Sequence, residues 1–249
     1  MHTGFEEVGF LGFDVFGTVV DWRTSVARES APFLKRCDLR IDPLAFADEW
    51  RSLYQPSMQR IRSGQRPFVT LDVLNRENLE QLLVRHNVEF GRLKEQDMAA
   101  WCTAWEKLDP WPDAVEGLMR LKKRFAIGPI SNGHIAGMMN LARYGGLPWE
   151  VITGAGLARA YKPQPEVYVK SANAVGLPVH RVAMVAAHND DLAAARACGL
   201  RTVFIRRPTE YGPGQQSDLE PAQDWDVVAD SLSELASVLG GGCGVRTTV

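Results

Sequence analysis

The sequence predicts an α/β protein: a doubly wound, Rossmann-like parallel sheet interrupted after its first strand by a helical insertion. Three observations carry this. The stretch Val8 to Phe16 (VGFLGFDVF) is almost wholly apolar, as a strand buried on both faces of a parallel sheet should be. From about Asp113 onward, strand-like and helix-like runs alternate, the pattern of crossover connections. Between them, residues 22–109 show helical periodicity and few strand-like runs.

The elements follow in order. Asp14 is the one acid in the first strand, and Gly17-Thr18 turns the chain. Asp42-Pro43 is a helix start with Pro at the first helical position, and Phe46, Trp50, Leu53, Tyr54 and Ile61 recur at helical spacing. Pro56 is expected to kink or end that helix near Gln55. Leu71 to Val84 and Met98 to Lys107 are further amphipathic helices, and Asp109-Pro-Trp-Pro112 is a stiff return linker. Then come a helix (Asp113 to Lys123), a strand (Phe125 to Ile130), a helix (Ile135 to Tyr144) stopped by Gly145-Gly146, and a short strand (Val151 to Thr153). A helix (Pro165 to Val175), a strand (Val182 to Ala187), a helix (Asp190 to Cys198), a strand (Thr202 to Ile205) and a last strand and helix (Trp225 to Leu239) complete the pattern. The expected division is a core of residues 1–21 and 110–239, an inserted unit of 22–109, and a Gly-rich flexible tail of 240–249.

Composition narrows the function. The chain has 249 residues, 45% hydrophobic and 23% charged, enough to bury a sizeable core. Lys plus Arg is 28 and Asp plus Glu is 30, so the net charge of −2 gives no basic footprint for nucleic acid. Cys37, Cys102, Cys198 and Cys243 form no CxxC pair, which argues against a zinc ribbon, a thioredoxin-like site and a disulfide framework. No basic n-region or long apolar run suggests export or a membrane. The expectation is a cytoplasmic protein whose partner is a small molecule, neither nucleic acid nor membrane.

In open α/β sheets, ligands bind beyond the carboxyl ends of the strands. Those ends carry Asp14 and Thr18, then Ser131-Asn132-Gly133, then Lys162-Pro163 in a loop, then His188-Asn189-Asp190-Asp191. A carboxylate held by hydroxyl and amide donors beside a lysine is a coherent nucleophile site.

DVFGT (Asp14 to Thr18), Ser131-Asn132, Lys162-Pro163 and Asp190-Asp191 resemble the four ordered motifs of the haloacid dehalogenase superfamily, including a helical cap between the first and second. Phosphatases of that superfamily carry a second acid where this chain has Phe16, and an acid for Mg²⁺ where it has Ala187. The pattern is closer to the L-2-haloacid dehalogenase branch, with an aromatic residue after the nucleophile, Lys162 followed six residues later by Tyr168, and Trp50-Arg51 on the first cap helix. Ala186 and His188 stand where well-known members have serine and asparagine.

The resemblance implies hydrolysis of small 2-haloalkanoic acids through an aspartyl ester, with inversion at C2, no metal and no cofactor. Asp14, Thr18, Lys162, Asp191 and His188 would be catalytic, with His188 or a neighbouring acid handling water and neutral imidazole as the base. Phe16, Arg51, Ser131, Asn132 and Tyr168 would bind substrate or halide, Arg51 taking either the halide or the carboxylate. Dimers are common in this branch, so the resemblance is compatible with a homodimer, though the sequence itself marks no interface. The alternatives are opening of a strained ring amine such as azetidine-2-carboxylate, a catalytically idle binding member and, last, a Mg²⁺-dependent phosphatase.

Overall fold

The computed structural model describes residues 5–88 and 93–240. The expected tail falls outside these residues apart from Gly240.

The parallel sheet is present. It is built from β1 (Phe10–Phe13), β4 (Ala126–Ser131), β5 (Thr153–Gly154), β6 (Val182–Ala186), β7 (Arg201–Ile205) and β8 (Val227–Ala229), in the order β5-β4-β1-β6-β7-β8. Every pairing is parallel, and β1 sits between β4 and β6 with Gly12 opposite Gly128 and Met184. Gly12 is where a side chain has no room: a Cβ there would lie 2.3 Å from Ile130 Cδ1. Helices α6 (Ala114–Leu121), α7 (Ile135–Gly145), α8 (Ala155–Ala158), α9 (Pro165–Ala174), α10 (Asn189–Ala197) and α11 (Leu232–Gly240) connect or follow the strands.

The first strand is shorter than the apolar run. Its regular pairing ends at Phe13, because the chain turns into the Asp14–Thr18 loop and Phe16 bridges only to Val20. The insertion holds α1 (Trp22–Arg36), α2 (Pro43–Ser52), α3 (Tyr54–Arg62), α4 (Leu71–Arg85) and α5 (Glu95–Cys102), followed by a 3-10 turn at Thr103–Glu106. Asp42 caps α2 by accepting from the Ala45 amide, with Pro43 behind it. The break falls at Leu53, before the expected position near Gln55. Pro56 sits in the first turn of α3, where its missing N–H leaves no helical bond unmade. Phe46, Trp50, Trp101 and Trp105 make the aromatic centre of these helices; Phe46 stacks on Trp101 at 5.3 Å and Trp50 meets Trp105 edge-on at 5.6 Å.

Both passages between sheet and insertion pair with each other. β2 (Val20–Asp21) and β3 (Asp109–Pro110) form an antiparallel ribbon, so the expected return linker is half of a clasp. Trp111 closes it, its indole N–H donating to Gly17 O at 2.8 Å.

Arg207, just after β7, ties this entrance to the helices behind the sheet. Its Nε donates to Thr18 O, and both terminal nitrogens grip Asp113, each at 2.9 Å. Asp113 also accepts from the Leu232 amide at the start of α11. Burial works against the Asp113 charge, but Arg207 outweighs it and holds the carboxyl below its ordinary range. The pair therefore contributes stability above the ordinary carboxylate pKa, and that contribution is lost as pH falls through the lowered value. Arg207→Ala is expected to cost about 3 kcal/mol, because it strands a half-buried carboxylate. Urea unfolding at neutral pH measures this, and a loss below about 0.5 kcal/mol would show that water replaces the guanidinium at no cost.

Candidate active site

The topology gathers the site before any side chain is considered. β1 lies at the point where the chain order reverses, with β4 on one side and β6 on the other, and a crevice opens above their carboxyl ends. Asp14 follows β1 and is pinned by its amide, which donates to Val185 O of β6 at 2.9 Å. Asn132 follows β4, and His188 to Asp191 lead from β6 into α10. Lys162 arrives from the loop between α8 and α9. Its amide donates to Asn132 Oδ1 at 2.8 Å, which sets the height of that loop.

The Asp14 carboxylate is occupied at both oxygens. Lys162 Nζ donates to Oδ1 at 2.8 Å. Thr18 Oγ1 donates to Oδ2 at 2.8 Å and itself accepts from the Ala187 amide at 2.9 Å, so its hydrogen has a fixed direction. His188 Nδ1 lies 3.1 Å from the same Oδ2. Lys162 also donates to Asp191 Oδ2, and Tyr168 donates to Asp191 Oδ1 at 2.6 Å. Asp14, Lys162 and Asp191 are only 6–7% exposed.

The charges respond to one another. Burial alone would raise the pKa of Asp14, but Lys162 and His188 outweigh it, so Asp14 stays ionised far into acid. Burial opposes the charge on Lys162, and the carboxylates of Asp14 and Asp191 more than restore it. Asp191 moves the other way: burial and the neighbouring Asp14 charge raise it against the pull of Lys162.

His188 departs from expectation. Its Nε2 lies 2.9 Å from Glu210 Oε2, so the ring is held between two carboxylates. Burial disfavours its charge, but Glu210 and Asp14 raise its pKa well above the ordinary value. The two carboxylates therefore favour the imidazolium, where the sequence suggested a neutral base. Glu210 is the residue that sequence reasoning missed. It lies on the loop after β7, is 1% exposed, and is fixed by the indole N–H of Trp22 at 3.0 Å. Its local trace is Gly17 at φ +91°: a Cβ there would lie 2.0 Å from Glu210 Oε1.

Arg51 points inward from α2. Its guanidinium carbon lies 4.1 Å from the Tyr54 ring centre, 5.2 Å from Trp22 and 6.0 Å from Phe16. Burial works against its charge, but Tyr54, Tyr211, Glu210 and Asp14 keep it protonated. Nη1 is buried and has no hydrogen-bond partner. A donor held in an aromatic box without an acceptor is prepared for an anion.

A cavity of about 890 Å³ joins Arg51 to Asp14, with Phe16, Asn132, Lys162, Tyr168, His188 and Asp191 on its wall. Ser131 is elsewhere: it is buried, and its Oγ accepts from the Gly133 amide. Tyr168 reaches the wall, but its hydroxyl is spent on Asp191. Of the expected substrate-binding residues, the structure thus brings Phe16, Arg51 and Asn132 to the cavity with Tyr168 behind Asp191, and Ser131 shapes the turn.

A family model described as a haloacid dehalogenase-like hydrolase matches residues 11–199. The chain belongs to this family. It is similar to the solved structure of the defluorinating L-2-haloacid dehalogenase Rha0230, with 45% identity and a TM-score of 0.92, covering 94% of this chain and 95% of that one. It is also similar to the L-2-haloacid dehalogenase PA0810, with 41% identity and a TM-score of 0.88 over 94% of this chain and 99% of that one. Among curated proteins it is 24% identical to (S)-2-haloacid dehalogenase 4A of Burkholderia cepacia, over 90% of this chain and 96% of that protein.

Within the haloacid dehalogenase-like hydrolases, the Mg²⁺ of the phosphatase branch needs oxygen ligands in near-octahedral array. The residues present do not fit it. Phe16 packs on Tyr54 and Trp105, Ala187 has no side-chain oxygen, and Asp14 and Asp191 both face Lys162 Nζ. As to the membrane, no helix among the described residues is long and apolar enough to cross one.

Proposed function

We propose that the protein hydrolyses small 2-haloalkanoic acids by nucleophilic substitution at Asp14, with residues 22–109 acting as the cap that roofs the site. One observation carries this reading: a buried carboxylate held by Lys162 and Thr18 shares a cavity with a caged guanidinium whose Nη1 has no acceptor. The similarity to L-2- and (S)-2-haloacid dehalogenases supports the same class of reaction, and the defluorinating Rha0230 brings fluorinated acids within it.

Asp14 attacks C2 of the substrate. The C2–halogen bond breaks, its electron pair leaves with the halide towards Arg51, and an aspartyl ester forms. The halide needs no proton, so positioning and anion stabilisation carry the barrier. Ester formation removes the Asp14 charge and with it one of the two anions that hold the proton on His188. The imidazolium, still held by Glu210, then releases its proton to solvent, and the imidazole so formed accepts a proton from water as water attacks the ester carbonyl carbon. The acyl–oxygen bond breaks, the C2 oxygen leaves as the product hydroxyl with the remaining water proton, and the Asp14 carboxylate is restored. Lys162 and Thr18, already directed at the Asp14 oxygens, steady the charge that develops there. The products are the inverted 2-hydroxy acid, halide and one proton.

Racemic 2-chloropropionate, incubated with EDTA present, tests this. Chloride is expected from one enantiomer only. A single turnover in ¹⁸O-water should place label in Asp14 and leave the first product unlabelled; label appearing directly in that product would exclude the ester.

A further inference from the structure

Arg51 is boxed by the rings of Phe16, Trp22 and Tyr54, and a fourth ring, Tyr211, packs on Trp22 beside them. Tyr211 follows Glu210 on the loop after β7. Its ring meets Trp22 edge-on at 5.8 Å, and it lies on the wall of the same cavity. The Arg51 guanidinium packs on the same indole, 5.2 Å from the Trp22 ring centre, so the phenol and the guanidinium are neighbours on that wall. The loop that carries it is braced: the Tyr211 amide donates to Gln215 Oε1 at 3.0 Å, and Glu210 is anchored by Trp22 and His188. Gly212, at φ +83°, lets the chain turn beside Arg23, where a Cβ would lie 2.7 Å from a guanidinium nitrogen. The ring is therefore placed, though 38% exposed.

A guanidinium has donors and no acceptor. Beside Arg51, the Tyr211 oxygen can only accept, and its own hydrogen must go elsewhere. An anion bound by the unpartnered Nη1 supplies an acceptor for both groups. We propose that Tyr211 donates its O–H to the departing halide alongside Arg51, and that this bond sets the leaving-group preference of the site.

The inference rests on the dehalogenase reading and deepens it. As C2–halogen cleavage proceeds, negative charge accumulates on the halogen and the O–H···halide bond strengthens. No proton is transferred. Burial and the neighbouring Glu210 push the phenol pKa up, so Tyr211 remains a donor throughout. Fluoride is the smallest halide and the strongest hydrogen-bond acceptor, chloride is weaker and bromide weaker still. The contribution of Tyr211 therefore grows in the order bromide, chloride, fluoride.

Tyr211→Phe keeps the ring on Trp22 and removes only the hydroxyl. The readout is kcat/KM for bromoacetate, chloroacetate and fluoroacetate, because this parameter ends at irreversible halide loss. The variant is expected to lose activity on all three, with the loss on chloroacetate several-fold greater than on bromoacetate. On fluoroacetate the loss should exceed that on bromoacetate by about tenfold, the worth of one hydrogen bond to a charged acceptor. Equal losses across the series would overturn the inference, since a structural role is blind to the halogen. A second measurement does not depend on turnover: chloride and fluoride titrated against tryptophan fluorescence, which Trp22 and Trp105 beside the cage should report. Weaker halide binding in Tyr211→Phe supports the inference, and unchanged binding overturns it. Should the wild type release no halide from any substrate, the dehalogenase reading fails, while the titration still decides whether Tyr211 donates to a halide.

Discussion

Replacing Asp14 by asparagine should reduce halide release by roughly 10⁴-fold or more, the scale seen when a catalytic nucleophile is removed. The amide matches the carboxylate in shape, so Thr18 keeps an oxygen to donate to. What disappears is the anion. Lys162 retains Asp191, and His188 retains Glu210, so neither buried cation is left without a carboxylate. The variant should therefore fold, which circular dichroism checks, and should still bind chloride at Arg51. Loss of catalysis with retained halide binding would separate the nucleophile from the anion site. Residual activity within about tenfold of wild type would instead mean that water attacks C2 directly, with Asp14 only orienting it. The same experiment discriminates against an idle binding member, whose effect would not depend on Asp14.

Most of the carboxyl edge was legible in the sequence because each of its groups sits in a short local pattern. Asp14 and Thr18 are four residues apart at the end of an apolar strand, and Asn132, Lys162 and Asp191 each follow a strand or a turn signal. Arg51 was legible mainly through the resemblance, and the structure brings it to the cavity wall beside Tyr54. Glu210 and Tyr211 had no such pattern. They lie on an irregular loop, and Glu210 meets Trp22 across 188 positions and His188 across 22. Because that partner was invisible, His188 was expected to be neutral; its charge is set by an acid that periodicity does not reveal. Ser131 shows the opposite failure. Its position next to Asn132 matches a substrate-binding motif, yet at the end of β4 its hydroxyl faces the turn. The break between α2 and α3 came earlier than expected because a proline in a helix's first turn starts that helix instead of ending the previous one.

Removing the proposed base should have a consequence distinct from removing the proposed nucleophile. In His188→Ala, Asp14 keeps Lys162 and Thr18, so substitution at C2 should still proceed and release a single stoichiometric burst of halide. The ester should then persist, with turnover down by about 10²–10⁴-fold, the usual worth of general base catalysis. Acid quench followed by mass spectrometry of the peptide containing Asp14 would show the added acyl group. Glu210→Gln gives the graded version. Glutamine can still accept from Trp22 but no longer supplies the charge that raises the His188 pKa. In the ester the imidazole must be unprotonated to act, so in the wild type kcat should fall as pH drops through the pKa that His188 has in that intermediate. Loss of Glu210's charge lowers this pKa, and the acid limb of the kcat profile should move to lower pH in Glu210→Gln. In His188→Ala the limb should vanish. Asp14 cannot be its source, because Lys162 and His188 hold Asp14 ionised far below the pH range in question. An acid limb that stays in place in both variants would assign water activation to another group, with Asp191, raised by burial and by the Asp14 charge, next in line.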